Sequence, residues 1–153
     1  MTVVRLQRRM PYPARHLFDI VARVEDYRHF VPLCLESRVW DRMIDAEGVT
    51  HFKAELTIGY ERFGIRERFA CDIVADPRNF TIDATAFAGP VKHLSNNWAL
   101  HPTSGETIVD FTLDYQLAGR FLQAVLNGMF DYAAGRIMAA FEERARTKMP
   151  ATA

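Results

Sequence analysis

From Gly119 to about Lys148 the chain sets Phe121, Leu122, Val125, Met129, Tyr132, Ala133, Ile137, Ala140 and Phe141 at helical spacing. Everything between Trp40 and Tyr115 instead alternates with a period of two. A long amphipathic helix that follows a run of antiparallel strands must lay its apolar stripe on their sheet. The helix is long and its inward residues are bulky, so the space between it and a curved sheet is a natural place for a cavity. The pattern favours binding of a hydrophobic molecule over chemistry on a polar one.

The elements before that helix follow from local signals. Residues 2 to 10 read as a strand with Val4, Leu6 and Met10 on one face and Arg5 and Arg9 on the other. Pro11 and Pro13 end it, and Pro13 suits the first turn of a helix over about 14 to 23, with Leu17, Ile20, Val21 and Val24 at core spacing. Residues 25 to 32 carry acidic groups at the start and Pro32 at the end, which predicts a short second helix with Tyr27, Phe30 and Val31 on one face. Strands are then expected at 37–44, 49–60, 63–75, 80–87, 92–101 and 106–115, separated by turns at Gly48, Pro77-Arg78-Asn79, Gly89-Pro90 and Ser104-Gly105. The expected fold class is α+β: one domain over residues 1–150, an antiparallel sheet gripping a long C-terminal helix. Gly128 and Gly135, inside that helix, permit a close approach to the sheet or a bend.

Bulk properties exclude several classes of function. Nineteen basic and nineteen acidic residues cancel, so no global field draws the chain to DNA or an anionic surface. Cys34 and Cys71 stand alone, without CxxC spacing, and read as free thiols of a reducing compartment. The five histidines lie in no metal-ligand or triad spacing, no serine sits in a nucleophile elbow, and no glycine-rich phosphate loop is present. No metal, cofactor or catalytic set is expected. The amino terminus has no apolar leader, and Gln123 and Asn127 interrupt the most apolar stretch, so a cytoplasmic chain is expected, with any membrane contact peripheral at the inner membrane.

The eleven phenylalanines, five tyrosines and two tryptophans supply the material of an apolar pocket. The expected ligand-facing set is Tyr27, Phe30, Val31, Leu56, Ile58, Phe69, Phe111, Leu113, Phe121, Val125 and Met129, together with the polar candidates. Glu67 falls in register with Phe63, Ile65, Phe69 and Cys71, so it points to the apolar face of its strand. Two readings stay open: a polar anchor or general acid/base in a greasy pocket, and a rim residue that pairs with an arginine. In residues 89–98 the alternation puts Lys92, Leu94, Asn96 and Trp98 on one face, where Asn96 and Lys92 could donate to a carbonyl oxygen. The alternative is that Asn96 and Asn97 form a bulge and bond only to backbone.

Several stretches together resemble the coenzyme Q-binding branch of the START-like proteins. They are V-A-R-V-E-D-Y-R-H-F-V-P-L-C at 21–34, A-E-L-T-I-G-Y at 54–60, the Glu67 strand, G-P-V-K-H-L-S-N-N-W at 89–98 and A-F-E-E-R-A at 140–145. The resemblance covers nearly the whole chain. It implies the helix-grip fold, a curved antiparallel sheet wrapped round a long C-terminal helix with a hydrophobic tunnel between them. It also implies binding of ubiquinone, or another polyprenyl lipid, in support of respiration. A similar bacterial branch acts as a toxin on ribosomal subunit association, which makes the ribosome the alternative partner; helix-grip cyclases and hydrolases make an enzyme a third. Leu33 and Val91 depart from the pattern, standing where aromatic residues are expected. A quinone carbonyl only accepts hydrogen bonds, so Glu67 would serve it only if protonated or if it oriented Lys92.

Overall fold

Strand β1 (Thr2–Met10) is followed by helix α1 (Ala14–Ala22) and a short 3-10 helix (Val24–His29). Six strands come next: β2 (Cys34–Ile44), β3 (Thr50–Tyr60), β4 (Ile65–Asp76), β5 (Thr81–Ala88), β6 (Val91–Pro102) and β7 (Thr107–Leu117). Helix α2 (Arg120–Thr147) closes the order. The computed structural model describes residues 2–60 and 64–148, with side chains at all of these except 60, 129–132 and 134. Phe63, expected to point inward, lies outside the described residues.

The strands form one antiparallel sheet in the order β1-β7-β6-β5-β4-β3-β2. Every connection from β2 to β7 joins neighbours, so short turns suffice, and β1 pairs with β7 from the other end of the chain. The sheet curves round α2, the architecture of the helix-grip fold. Alternation does the sorting. On β7, Val109, Phe111, Leu113, Tyr115 and Leu117 are buried while the residues between them keep some exposure. Phe52 and Ala54 of β3 and Phe69, Cys71 and Ile73 of β4 turn to the same side.

Two kinds of contact hold α2 on the concave face. Towards its C-terminal end Met138, Phe141 and Ala145 are buried, and His16 of α1 donates from Nε2 to the Ala145 carbonyl at 2.9 Å. Near its start the clamp is polar. Gln123 Oε1 accepts the Leu117 backbone N–H at 2.6 Å, its Nε2 donates to Asn127 Oδ1 at 2.8 Å, and the buried Tyr115 hydroxyl donates to the same Asn127 oxygen. The two polar residues that interrupt the apolar stripe thus tie the helix to the end of β7.

The interior glycines of α2 do not permit a close approach. A Cβ built on Gly128 or Gly135 would meet nothing within 4 Å. Glycine in a helix interior costs about 1 kcal/mol relative to alanine, and no packing gain offsets it here. Gly128→Ala is therefore expected to stabilise the protein by about 1 kcal/mol, raising Tm by about 2–4 °C in a thermal melt. An unchanged or lower Tm would mean that the glycine serves a bend in the helix.

Candidate functional site

Phe141 organises the space between helix and sheet. Its ring lies 4.7 Å from Trp98, 5.0 Å from Phe30 and 5.3 Å from Tyr27, centroid to centroid, and Trp98 in turn meets Phe111 edge-on at 4.9 Å. Edge-to-face packing of this kind fixes ring orientations as well as burying area. Rigid rings leave a gap that flexible side chains would fill, and the cavity begins beside them.

That cavity has a volume of about 160 Å³. Its floor is the concave sheet, with Ala54, Leu56, Ile58, Phe69, Cys71, Ile73, Ile82, Ala84, Leu94, Trp98, Phe111 and Leu113. Val24, Tyr27, Val31, Pro32 and Leu33 wall it on one side, and Leu126, Ile137 and Phe141 of α2 cover it. Among the described residues no Asp, Glu, Lys, Arg or His lines it. The one carboxamide is Asn96, whose Nδ2 donates to the Thr112 carbonyl at 2.9 Å. One N–H of that amide and the Oδ1 acceptor are left over for a ligand. The Tyr27 hydroxyl donates to the Val21 carbonyl, so its proton is already committed. Burial pushes that phenol well above its usual range, with the nearby Cys34 and Glu25 adding to the effect.

The structure thus brings Tyr27, Val31, Leu56, Ile58, Phe69, Asn96, Trp98, Phe111 and Leu113 together round one cavity. Asn96 bonds to backbone without a bulge at that position, since Asn96 and Asn97 pair in register with Leu113 and Thr112. Lys92 is a correction: it is exposed and absent from the lining. The register slips between Val91 and His93, so one extra residue breaks the alternation and Val91 packs against the core in its place. Phe121 is another, at 78% exposure. The stripe that reaches the sheet runs through Leu122, Leu126 and Ala133, and Phe121 lies about 100° round the helix from Leu122. Phe30 packs against Tyr27 and Phe141 outside the cavity, and Val125 is half-buried against the core without facing it. Glu67 keeps the expected face but lies beyond Phe69, half-buried, outside the lining and without an ion pair among the described residues. The Met129 side chain is outside those described.

Sequence reasoning missed several walls. Phe141 was legible only as helix stripe, and Ala54 and Ala84 carry no signal beyond alternation; their small side chains help to leave the gap open. A second hollow of about 340 Å³ lies beyond Phe30, lined by His16, Asp19, Ile20, Arg23, Asp26, Arg144 and Lys148. Its mixed charges and mutual pairs, such as Arg144 with Asp26 at 3.9 Å, make it a solvated groove. Among the described residues no three His, Cys, Asp or Glu side chains are grouped to hold a metal, and no helix is long and apolar enough to cross a membrane.

An apolar floor on a curved sheet, an aromatic brace and a covering C-terminal helix describe a START-like cavity. The profile of the family described as polyketide cyclase/dehydrase and lipid transport matches residues 10–142, and the chain belongs to that family. It is 30% identical over 146 residues to the mitochondrial coenzyme Q-binding protein coq10 of Schizosaccharomyces pombe, covering 94% of this chain and 87% of that protein. It is 34% identical over 140 residues to the ribosome association toxin RatA of Pseudomonas aeruginosa, covering 90% of each. Among solved structures, an 18 kDa protein of Caulobacter crescentus superposes with a TM-score of 0.80 at 32% identity, over 96% of this chain and 97% of that one. The Zhui aromatase/cyclase of Streptomyces shares the fold at a TM-score of 0.76 and 14% identity, over 98% and 96%.

Cys71, in the cavity wall, reports on how dry the site is. Burial, helped by the Asp72 charge, pushes its thiol up from 9.0 to about 11. Below pH 9 the thiol is neutral folded or unfolded; above it the unfolded chain ionises first. Stability is therefore lost as pH rises from the unfolded value through the folded one, by about 2 kcal/mol for this group at pH 11. Urea unfolding at pH 8 and pH 11 is expected to show a loss smaller by that amount in Cys71→Ala. Equal losses would mean that water reaches the thiol.

Proposed function

We propose that this chain binds a polyprenyl quinone such as ubiquinone, holding the ring in the apolar cavity and supporting the quinone's use in respiration. The observation that carries the reading is the cavity itself: apolar walls, no charge among the described lining, and one carboxamide with an N–H to spare. A dry apolar cavity of about 150 Å³ is enough for a single benzene-sized ring. Pockets for larger ligands run to about 300–1,000 Å³, so an isoprenoid tail must leave through the mouth or lift part of α2.

Apolar walls alone do not select a quinone. The bilayer offers the tail nearly the same environment, so transfer between them gains little. Selection falls on the ring, where Asn96 Nδ2 is placed to donate to a carbonyl oxygen. Lys92 points to solvent and has no part in this. The absence of a carboxylate or imidazole from the described lining supports binding over acid–base catalysis, which needs such groups within hydrogen-bond reach. The coenzyme Q-binding relative supports the same ligand class.

A second reading, action on ribosomal subunits, rests on the 34% identity to the Pseudomonas aeruginosa toxin. Binding to ribosomal RNA draws on basic surface. The even balance of nineteen basic and nineteen acidic residues gives that reading less support.

The test is solvent extraction of the natively purified protein, with mass spectrometry for isoprenoid quinones. Near-stoichiometric quinone is expected in the wild type and none in Ala84→Phe, which fills the cavity without adding charge. Asn96→Ala is expected to weaken quinone binding about tenfold, the worth of one hydrogen bond. Quinone bound equally by Ala84→Phe, or a wild type that stays empty when offered quinone in detergent, would overturn the reading.

A further inference from the structure

We propose that the end of the fold formed by the first turn of α2 and the β5–β6 turn docks on an anionic lipid bilayer. The inference builds on the ligand-binding reading, since it names the surface across which a membrane-borne ligand would pass. Phe121, in the first turn of α2, is 78% exposed, and Phe87, near the end of β5, is 49% exposed. The cations Arg120, Lys92 and Arg68 are exposed as well, and among the described residues none of them has an ion-pair partner.

The backbone brings these residues to one place. Ala118 N–H donates to the Pro90 carbonyl at 2.9 Å, which ties the start of α2 to the β5–β6 turn. Gly89 in that turn lies so close to β4 that a Cβ would sit 2.8 Å from the Arg68 carbonyl. The bulge between Val91 and His93 is what turns Lys92 outward. Carboxylates at this end are mostly committed: Glu36 pairs with Arg66 at 3.2 Å and Asp114 with His93 at 2.9 Å, while Glu67 is half-buried. Among the described residues, this end carries three cations without an ion-pair partner beside the exposed Phe121 and beside Phe87, whose ring lies 4.8 Å from the Lys53 ammonium.

That combination fits a bilayer surface. Aromatic side chains settle at the headgroup level, and lysine and arginine meet anionic lipid phosphates beside them. An RNA partner would call for a longer basic track than three cations. The location is also the useful one. Leu117, just before Ala118, and Leu94, just after the bulge, both line the apolar cavity. The packed Tyr27 and Phe30, by contrast, are held by Phe141 and not free to insert.

The test is co-sedimentation of the full chain with quinone-free vesicles, either phosphatidylcholine alone or mixed with phosphatidylglycerol. The wild type is expected to pellet with the mixed vesicles, and less so in high salt. Phe121→Ser is expected to lower partitioning at least about tenfold, the worth of withdrawing one large apolar side chain. Lys92→Gln is expected to lower it about fivefold on mixed vesicles and not on neutral ones. Circular dichroism checks that both variants fold. In Phe121→Trp, emission is expected to shift to shorter wavelength when mixed vesicles are added, beyond any shift in the wild type. A wild type that ignores mixed vesicles, a Phe121→Ser variant that binds as well as wild type, or Phe121-dependent pelleting with ribosomes instead would overturn the proposal. With no quinone in the vesicles, failure here is separate from failure of the extraction experiment, and either reading can fall without the other.

Discussion

The ring contacts of Phe141, edge-on with Tyr27 and Phe30 and tilted with Trp98, are the constraint on which the rest of the molecule depends. One ring on α2 meets the sheet through Trp98 and the 3-10 helix through Tyr27 and Phe30. It thereby sets how far the helix stands from the concave face. A helix laid on a flat sheet with small contact residues would close on it; here rigid rings at one end and a polar clamp at the other hold it off. Leu17, Ile20 and Val21 of α1 then have a fixed surface to bury against.

The cavity is the physical consequence of that spacing. Interiors are close-packed because a void forfeits dispersion contacts on its lining. A gap of about 160 Å³ walled by side chains such as Ala54, Ala84 and Leu94 is a cost the fold carries unless something fills it. A hydrophobic ligand offsets that cost, and a polar one would leave its own groups unsatisfied. Asn96 softens the rule at one point. Its bond to the Thr112 carbonyl fixes the amide in place, so the second N–H is presented to the cavity without further ordering.

Much of the fold was legible because a sheet with one buried face imposes alternation on every strand. Phe52-Ala54-Leu56-Ile58 on β3 and Val109-Phe111-Leu113-Tyr115 on β7 show it without ambiguity, and most of the cavity floor follows from their parity. Lys92 shows where parity fails. A bulge adds one residue to a strand, and nothing in G-P-V-K-H-L announces it; the register against β7 decides. Phe121 shows the same limit for a helix. Its side chain fits the apolar stripe loosely in sequence, but the phase of the stripe is set by the residues that touch the sheet, of which Phe141 and Leu126 are two.

The sequence by itself determined the order of elements, the antiparallel sheet and the long covering helix, because periodicity and turn chemistry act over a few residues at a time. It also determined that the inward faces are apolar and aromatic. Only the tertiary structure decided which inward residues surround a gap and which pack solidly. It decided too that Gln123 and Asn127 clamp the helix, that Asn96 is the single carboxamide in the described cavity lining, and that Lys92 and Phe121 face outward at one end. Those outcomes depend on distances between segments far apart in the chain, and local patterning carries no measure of such distances.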